Sequence, residues 1–279
     1  MAHASSESLG GARVALLEAR MESELASLVR RHGGEPVCVP ALREVERDCA
    51  AQAAPAIDAL ARPGALVVLA TGVGLARWLE VAEALGRGAE LRQGLAGAIV
   101  VCRGPKPVAV LKREGLQAHV RAAPPHTTRE LLDALAPLEV QGHDAVFVHD
   151  GGGTRSVPEA LAARGAHTFE VQPYEWALPE DVRPLQGLVA SLLAGDMHAL
   201  AVTTQVQARN LFHVAESMGA SQALREALRA RVVVAAVGPT CARTLEELGV
   251  PAQVVPQPSK MGPLVIALAQ FLATRPPTG

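Results

Sequence analysis

Short apolar runs alternate with longer amphipathic segments along almost the whole chain. Each run fits a buried strand, and the segment after it spaces its apolar residues three or four positions apart, as a helix does. The predicted strand and helix pairs are 13–17 with 22–32, 65–70 with 75–85, 97–102 with 108–114, 144–149 with 157–164, 199–203 with 206–218, and 232–237 with 241–248. A last helix is predicted over 264–273. This alternation predicts an α/β fold with parallel sheets and right-handed crossovers.

One pattern of strand, turn and helix occurs in both halves of the chain. Thr71-Gly72-Val73 recurs 133 positions later as Thr204-Gln205-Val206. Gly104-Pro105 recurs 134 positions later as Gly238-Pro239. Because the register hardly changes between the two matches, the pattern favours two related lobes over a chance similarity. Each lobe is typical of a flavodoxin-like βα unit.

Two extended, proline-containing segments, 36–43 and 168–178, are the predicted connections between the lobes. If they run side by side as a ladder, lobe 1 is discontinuous and consists of 11–35 and 179–279, with 44–167 as lobe 2. Two sequential lobes are the other arrangement that the sequence allows. The predicted fold class is α/β, with two flavodoxin-like parallel-sheet lobes joined by a two-stranded linker and one lobe discontinuous.

Composition and charge limit the partners. The 279 residues carry a formal net charge of -2 and no dense basic run, which argues against nucleic acid as the ligand. No apolar stretch reaches the roughly 20 residues of a membrane span, and the start lacks the apolar core of a secretory signal, so we expect a cytoplasmic protein. The cysteines form no C-x-x-C pair and the histidines no H-x-x-x-H pair, so neither a metal site nor a disulfide framework is predicted. The scattered cysteines are Cys38, Cys49, Cys102 and Cys241.

The first candidate ligand groups follow two strands and begin two helices. Free backbone N–H groups at a helix start, together with a hydroxyl, suit a carboxylate or phosphate. Ligands of open parallel sheets collect at this end of the strands. Ordinary helix capping is the alternative for both groups. The candidates are Thr71, Gly72 and Val73 in the first half, and Thr203, Thr204 and Gln205 in the second.

A second pair of turns lies one strand further on. Arg103, Gly104 and Lys106 surround the first Gly-Pro turn, and Gly238 begins the second. Glycine allows a ligand to approach the backbone closely, and the two basic residues add charge that would attract an anion. The alternative is that Gly-Pro forms a simple strand-to-helix turn.

A glycine-rich turn follows the strand that ends near His149. The run Gly151-Gly152-Gly153-Thr154-Arg155 completes neither G-x-G-x-x-G nor G-x-x-x-x-G-K-[ST], so it predicts a flexible turn that faces a ligand, with contacts from Gly152 and Arg155, rather than a nucleotide loop. His149-Asp150 just before it is either a catalytic pair or a structural polar pair at a strand end.

Two further groups complete the candidates. Tyr174 is the only tyrosine and lies in the second predicted connection, where its phenol could donate a proton to a leaving oxygen, or its ring could pack against Trp176. Ser259 and Lys260 precede the final helix, with Ser259 as the predicted cap. The matching turn in the other half is 125–128.

In their order and spacing these segments resemble the uroporphyrinogen-III synthase family from about Ala12 to Ala273. No single motif is specific. The segments that carry the resemblance are Ala70–Gly74 followed by Trp78–Glu80, then Arg103–Lys106, Val171–Tyr174 with Leu178-Pro179, and Ala236–Thr240 running to Val250.

The resemblance implies two flavodoxin-like lobes joined by a two-stranded ladder, and a cofactor-free reaction in the cleft between them. Linear hydroxymethylbilane loses its terminal hydroxyl, and closes through a spiro intermediate so that the last pyrrole ring is inverted. Tyr174 matches the family tyrosine thought to assist departure of the hydroxyl, and Thr240 matches the polar catalytic position after Gly-Pro. Eight substrate carboxylates would be held largely by backbone N–H groups at helix starts.

Other classes of protein stay open at this point. A non-catalytic two-lobed binder or sensor of a small polyanion would use the same helix starts. A nucleotide-dependent enzyme on a flavodoxin-like fold would carry a flavin or a phosphate loop. We expect no metal, no cofactor, a monomer, and a transient contact with the enzyme that precedes it in tetrapyrrole (haem) biosynthesis.

Overall fold

The structure, a computed structural model, describes residues 8–19, 21–152 and 155–274. Their contacts divide the chain into two compact units. Unit 1 contains the described residues up to Arg43 and from Ala177 onward, and unit 2 is Glu44–Trp176. Within the described ranges, no helix is both long and apolar enough to cross a bilayer.

The strands are short, and four of the eleven in the described residues are buried along their whole length. They are β1 Arg13–Leu16, β2 Glu35–Cys38, β3 Arg43–Glu46, β4 Leu66–Leu69, β5 Ile99–Cys102, β6 Val120–Arg121, β7 Asp144–Val148, β8 His167–Val171, β9 Tyr174–Ala177, β10 Ala199–Val202 and β11 Val233–Ala236.

The helices follow the strands as the sequence pattern predicts. They are α1 Glu22–Arg31, α2 Ala50–Leu60, α3 Gly72–Ala84, α4 Gly88–Gly97, α5 Pro105–Arg113, α6 Thr128–Leu135, α7 Ser156–Ala163, α8 Arg183–Ala194, α9 Gln205–Ser217, α10 Ser221–Ala230, α11 Pro239–Glu247 and α12 Met261–Ala273. The sequence analysis did not identify α2, α4, α6, α8 and α10; of these, α4 and α10 follow another helix directly.

The sheet of unit 1 has the order β11-β10-β1-β2, and its neighbouring strands are parallel. Val254 adds a parallel bridge beside β11. Taken in chain order, this arrangement is the 2-1-3-4-5 order of flavodoxin-like folds. Apolar clusters cover both faces: α8 to α11 pack on one and α1 with α12 on the other.

The sheet of unit 2 has the order β6-β5-β4-β7-β8, and its neighbours are also parallel. Helices α2 to α5 cover one face, and α6 with α7 cover the other. The first strand in the sheet of unit 2, β4, is equivalent to β10 and not to β1. Equivalent strands therefore have the same spatial order in both sheets, although the chain enters the two sheets at different strands. The predicted α/β class with parallel sheets is confirmed.

The internal repeat extends to elements that the sequence analysis did not identify. Helices α3 and α4 recur 133 positions later as α9 and α10, and β5 and α5 recur 134 positions later as β11 and α11. Each unit also has a cis X–Pro bond, at Pro124-Pro125 and at Gln257-Pro258. The repeat therefore describes whole modules.

The two predicted connecting segments, 36–43 and 168–178, begin within the main sheets. Strand β2 pairs with β1, and β8 pairs with β7, so residues 36–38 and 168–171 belong to those sheets. The two-stranded sheet consists instead of β3 and β9. An edge strand has a neighbour on one side only, so it buries few of its residues and lacks the continuous apolar run of a central strand. For this reason the sequence pattern of β2 and β8 resembles that of a linker.

Candidate functional site

In each unit, a group of the predicted site residues follows a central strand at which the strand order reverses. In unit 2 the strands at this reversal are β4 and β7, and the loops after them begin at Ala70 and His149. In unit 1 they are β10 and β1, and the loops begin at Thr203 and Leu17. The carboxyl ends of strands at such a reversal are where open α/β sheets bind ligands. We call these two places the carboxyl edges of unit 1 and unit 2.

Thr71 caps the start of α3 at the carboxyl edge of unit 2. Its backbone is extended, and its Oγ1 accepts a hydrogen bond from Gly74 N at 3.0 Å. The N–H groups of Gly72 and Val73 belong to the first helical turn, which has no intrahelical acceptors to offer them. Gly72 also has a packing role, because a Cβ there would lie 2.8 Å from the carbonyl oxygen of Lys106.

Tyr174 is fully buried beside that cap. Its hydroxyl lies 3.1 Å from Thr71 Oγ1, and its ring meets Trp176 edge-on, with the ring centroids 5.6 Å apart. The packing against Trp176 that the sequence allows is present within unit 2, together with a polar contact to Thr71 that the sequence does not indicate. None of the Tyr174 surface is exposed. Thr71 is only half-buried, so it is the more accessible hydroxyl of the pair.

The turn after β7 supports the tyrosine ring. Gly151 has a φ of +79°, and a Cβ there would lie 2.5 Å from Tyr174 Cε2. Its carbonyl accepts from the backbone N–H of Trp176 at 3.1 Å, and the Asp150 carbonyl accepts from the indole Nε1 at 3.0 Å. Only glycine combines this backbone conformation with so close an approach. Gly151 therefore fixes the position of Tyr174.

The Asp150 side chain links this turn to the next strand. One carboxylate oxygen accepts from Gly152 N at 3.0 Å, and the other accepts from Arg103 Nη1 at 2.7 Å. Burial by itself would raise the pKa of Asp150. The charge and hydrogen bond of Arg103, helped by the Gly152 N–H, outweigh burial and hold this pKa below its ordinary value. Arg103 and Gly152, both predicted as ligand contacts, are thus already engaged by an internal carboxylate.

A second polar cluster lies on the other side of the same strand end. His149 is buried, with Nε2 2.8 Å from Glu170 Oε2, and Arg155 Nη2 donates to Glu170 Oε1 at 3.0 Å. His149 Nδ1 and Ser156 Oγ are buried without a hydrogen-bond partner among the described residues. Arg155 is mostly exposed, at the N-cap position of α7. Gly153 and Thr154 of the predicted glycine-rich turn lie outside the described residues.

The start of α5 offers charge more than backbone donors. Pro105 and Pro107 have no N–H, so the first turn keeps mainly the N–H of Lys106, whose side chain is exposed. Gly104 lies against His126. A Cβ added to Gly104 would be 3.5–3.8 Å from side-chain atoms of His126, which is ordinary contact. The turn contains the predicted groups, but its two prolines leave few backbone N–H groups there.

The start of α9 differs from the start of α3 although both are capped by threonine. Thr204 and Gln207 form a capping box, and Gln207 Oε1 accepts from the N–H groups of Thr203 and Thr204 at 2.8 and 3.2 Å. The Thr203 hydroxyl donates to the Glu18 carboxylate, which also accepts from Gln207 Nε2 at 3.1 Å. Two of the predicted backbone donors are therefore already satisfied. The remaining predicted donor is the N–H of Gln205, the first helical residue.

The start of α11 pairs with the loop before α12. A Cβ on Gly238 would lie 2.7 Å from Ser259 Oγ, so glycine leaves room for the serine. Thr240 is half-buried at the second position of α11. The predicted capping role of Ser259 is wrong: Lys260 is the N-cap of α12 and makes no side-chain cap bond. Ser259 lies against Gly238 instead, because the loop folds back over the start of α11.

The sequence analysis missed several residues that organise these edges. Gln207 stands three positions after Thr204, which is the spacing of a capping box and could have identified it. Asp150 was noted, but its pairing with Arg103 spans 47 positions and has no local signal. Glu18 was missed for the same reason, and Trp176 was noted only as a packing partner of Tyr174.

Cys102 and Cys241 are both buried in the described part of the chain. Burial raises the pKa of the Cys102 and Cys241 thiols to about 12, so both are protonated near neutral pH. No group of three or more His, Cys, Asp or Glu side chains in the described ranges is arranged to hold a metal ion.

Comparisons with known proteins agree with this geometry. The chain is 28% identical to the uncharacterised protein YjjA of Bacillus subtilis (strain 168) over 94% of its own length and 96% of that protein. It is 32% identical to a protein named as a candidate uroporphyrinogen-III synthase in Methanothermobacter thermautotrophicus, over 61% of this chain and 66% of that one. A crystal structure of a mutant uroporphyrinogen III synthase from Thermus thermophilus has a TM-score of 0.76 and 30% identity, over 95% of this chain and all of that one.

The sequence profile of one family covers most of the chain. The profile described as uroporphyrinogen-III synthase HemD matches residues 23–266, which include the carboxyl edge of unit 2 and the loop after β10 in unit 1. The similar solved structure is also a uroporphyrinogen III synthase. This chain therefore belongs to the uroporphyrinogen-III synthase family.

Proposed function

We propose that this chain is a uroporphyrinogen-III synthase, which closes hydroxymethylbilane with inversion of the last pyrrole ring to give uroporphyrinogen III. The observation that carries the proposal is the family match across residues 23–266, together with the similarity to the Thermus thermophilus synthase over 95% of the chain. Family membership favours this catalytic reading over a non-catalytic binder or sensor.

Substrate carboxylates would be held by each carboxyl edge with a different set of groups. In unit 2 we propose the first-turn N–H groups of Gly72 and Val73 and the ammonium group of Lys106. Arg103 takes part while it stays paired with Asp150. A guanidinium has five N–H donors, so it can bind a substrate carboxylate while one donor remains on Asp150. Gly152 and Arg155 are proposed to line the same edge.

In unit 1 the proposed contacts are at the starts of α9 and α11. The Gln205 N–H and the Thr240 hydroxyl and N–H are placed at first-turn positions of those helices. Ser259 and Lys260 are exposed in the loop beside Gly238 and would extend this contact. Thr203 and Thr204 would act by fixing Gln207 and Glu18, since their N–H groups are already bonded.

The proposed chemical step uses the hydroxyl pair of Tyr174 and Thr71. The terminal hydroxyl of the substrate takes a proton and leaves as water, and the pyrrole that remains is electron-poor. Thr71 is the half-buried member of the pair, so we place it next to the leaving hydroxyl. It would donate its proton there while it takes one from Tyr174 across the 3.1 Å contact. The shape imposed on the chain of pyrroles then directs closure.

An isomer assay tests the proposed function. Purified protein is mixed with hydroxymethylbilane, and the uroporphyrinogens are separated after oxidation. We expect the type III isomer to dominate over the type I isomer that forms by spontaneous closure. If the type I fraction equals that of a protein-free reaction, while the protein still binds the substrate, the chain is a binder.

We further propose that the protein acts as a monomer in the cytoplasm and takes its substrate through a transient contact with the preceding enzyme. A reactive, open-chain substrate that closes spontaneously favours such a transfer. Sedimentation velocity of the protein alone checks the monomer. The same measurement with the enzyme that makes hydroxymethylbilane checks the contact.

A further inference from the structure

Unit 1 has a pocket that is separate from its carboxyl edge. The pocket has a volume of about 520 Å³, within the roughly 300–1,000 Å³ of small-molecule sites. Its lining runs along α9 from Arg209 to Glu216 and includes the start of α10 and the end of α11. At about 1.5 Å per residue, this stretch of α9 lies roughly 6–17 Å along the axis from the first helical residue. The pocket is therefore on the flank of unit 1.

An arginine that lies over a phenylalanine ring lines this pocket. The guanidinium carbon of Arg225 lies 5.5 Å from the ring centroid of Phe212. Arg225 Nε donates to the carbonyl oxygen of Leu248 at 2.9 Å. Within the described ranges, no carboxylate comes within 4.0 Å of the Arg225 nitrogens. The arginine is thus fixed through Nε, while its terminal nitrogens carry N–H donors that no carboxylate neutralises.

The equivalent arginine of unit 2 is neutralised inside its own module. Arg92, 133 positions before Arg225, forms ion pairs with Glu83 at 2.5 Å and with Glu114 at 3.0 Å. In unit 1 the position of Glu114 is taken by Leu248, and the acidic residue equivalent to Glu83 is Glu216. Glu216 lines the pocket but does not pair with Arg225. Unit 2 holds its arginine in two ion pairs, whereas unit 1 keeps one of the two acidic residues, and that residue does not pair with Arg225.

The surrounding positions change in the same direction. Arg209 and His213 of the pocket replace an alanine and a glutamate, Ala76 and Glu80, of unit 2. Because the two modules have the same helices in the same order, these exchanges are not needed to form the fold. Arg209 forms an ion pair with Glu247 at 3.6 Å, so Arg225 is the pocket arginine that no carboxylate neutralises within the described residues.

We propose that this pocket binds a small monocarboxylate that has an apolar body. The carboxylate would pair with the terminal nitrogens of Arg225, taking the place of Glu114 in unit 2. The apolar body would lie on Leu248 and on the free face of the stacked guanidinium. Glu216 remains in the wall, so a ligand with a single negative charge is favoured over a polyanion or inorganic phosphate.

A structural role for Arg225 accounts for only part of this geometry. Arginines near a helix end often bind its last carbonyl groups, and the Nε contact with Leu248 is a contact of that kind. That contact uses one of the five donors. It gives no reason for the leucine in place of Glu114, nor for Arg209 and His213 in place of Ala76 and Glu80.

The test is a titration of the ¹⁵N-labelled full chain with benzoate, followed by amide chemical shifts at low salt. We expect saturable shifts at Phe212, His213 and Leu248. Arg225→Gln should weaken binding by about 10-fold or more, because a charge-assisted hydrogen bond is lost. Arg92→Gln is the matched control in unit 2 and should leave the affinity for benzoate unchanged.

A second variant keeps the test decisive if Arg225→Gln does not fold. Leu248→Glu keeps Arg225 and its stacking, and it supplies the counter-ion that unit 2 has, so it should abolish benzoate binding. The proposal is overturned if Leu248→Glu binds benzoate as tightly as the natural chain, if shifts saturate only at the carboxyl edges, or if inorganic phosphate binds as tightly as benzoate. None of these results depends on the isomer assay.

Discussion

The two units show how one module can be used in two ways. In both, a threonine after a central strand caps a 13-residue helix, and a Gly-Pro turn begins a second helix. In unit 2 the Thr71 hydroxyl meets Tyr174, while in unit 1 Thr204 is enclosed in a capping box with Gln207. The shared features build the scaffold, and the chemistry differs because different partners reach the same position from elsewhere in the chain.

Removing the tyrosine hydroxyl should have the largest effect on turnover, because only unit 2 has this contact. Tyr174→Phe should lower type III turnover by about 10² or more, the range for losing one positioned proton donor. The free energy of unfolding should fall by only about 1 kcal/mol, since one hydrogen bond is lost and the ring still packs. Rate and urea denaturation are measured on the same preparation. Unchanged turnover would remove Tyr174 from the mechanism.

Displacing the ring should have the next largest effect. In Gly151→Ala the new Cβ would lie 2.5 Å from Tyr174 Cε2, so the ring must move, and turnover should fall by about 10²-fold. Gly142→Ala is the control, because its φ is +73° and nothing lies within 4 Å of an added Cβ. Both variants carry the same backbone penalty, of about 1–2 kcal/mol. Equal turnover in the two variants would show that ring position is unimportant.

The ion pair of Asp150 with Arg103 makes the stability of unit 2 depend on pH. The folded pKa of Asp150 is below its unfolded value, so its contribution to stability is complete above about pH 4 and is lost as the pH falls through the folded pKa. Asp150→Asn should therefore cost about 2 kcal/mol at pH 7, and less near pH 3. Urea denaturation at both pH values measures this.

Asp181→Asn serves as the control for that experiment. Arg183 lowers the pKa of Asp181 to about 2, but the pair is exposed, so solvent screens it and no measurable change in stability is expected. A pH-independent cost for Asp150→Asn would mean that its carboxylate charge is not what stabilises the turn.

The smallest expected effect compares the two caps directly. Thr71→Ala and Thr204→Ala should each cost about 1 kcal/mol of stability, the usual value for a lost N-cap. Only Thr71→Ala should also reduce turnover strongly, because it removes the partner of Tyr174. Parallel rate measurements on both variants decide this. Equal losses of turnover would mean that the two carboxyl edges contribute alike.

Some features of the site can be predicted from short stretches of sequence. Thr71 and Thr204 could be predicted as helix starts because a cap acts on residues two or three positions away. The Tyr174 contact with Thr71 spans 103 positions, and nothing near either residue indicates it. The edge strand β2 was read as a linker because a strand with one neighbour loses the continuous apolar pattern.

The sequence alone determined the α/β class, the parallel sheets, the internal repeat and the helix starts at which ligand groups gather. These properties depend on periodicity and on local hydrogen bonds, both of which neighbouring residues specify. The tertiary structure decided which of those groups are already engaged, such as Arg103 by Asp150 and Thr203 by Gln207 and Glu18. A donor's partner is chosen by packing between strands and helices, so local pattern cannot show whether that donor is free.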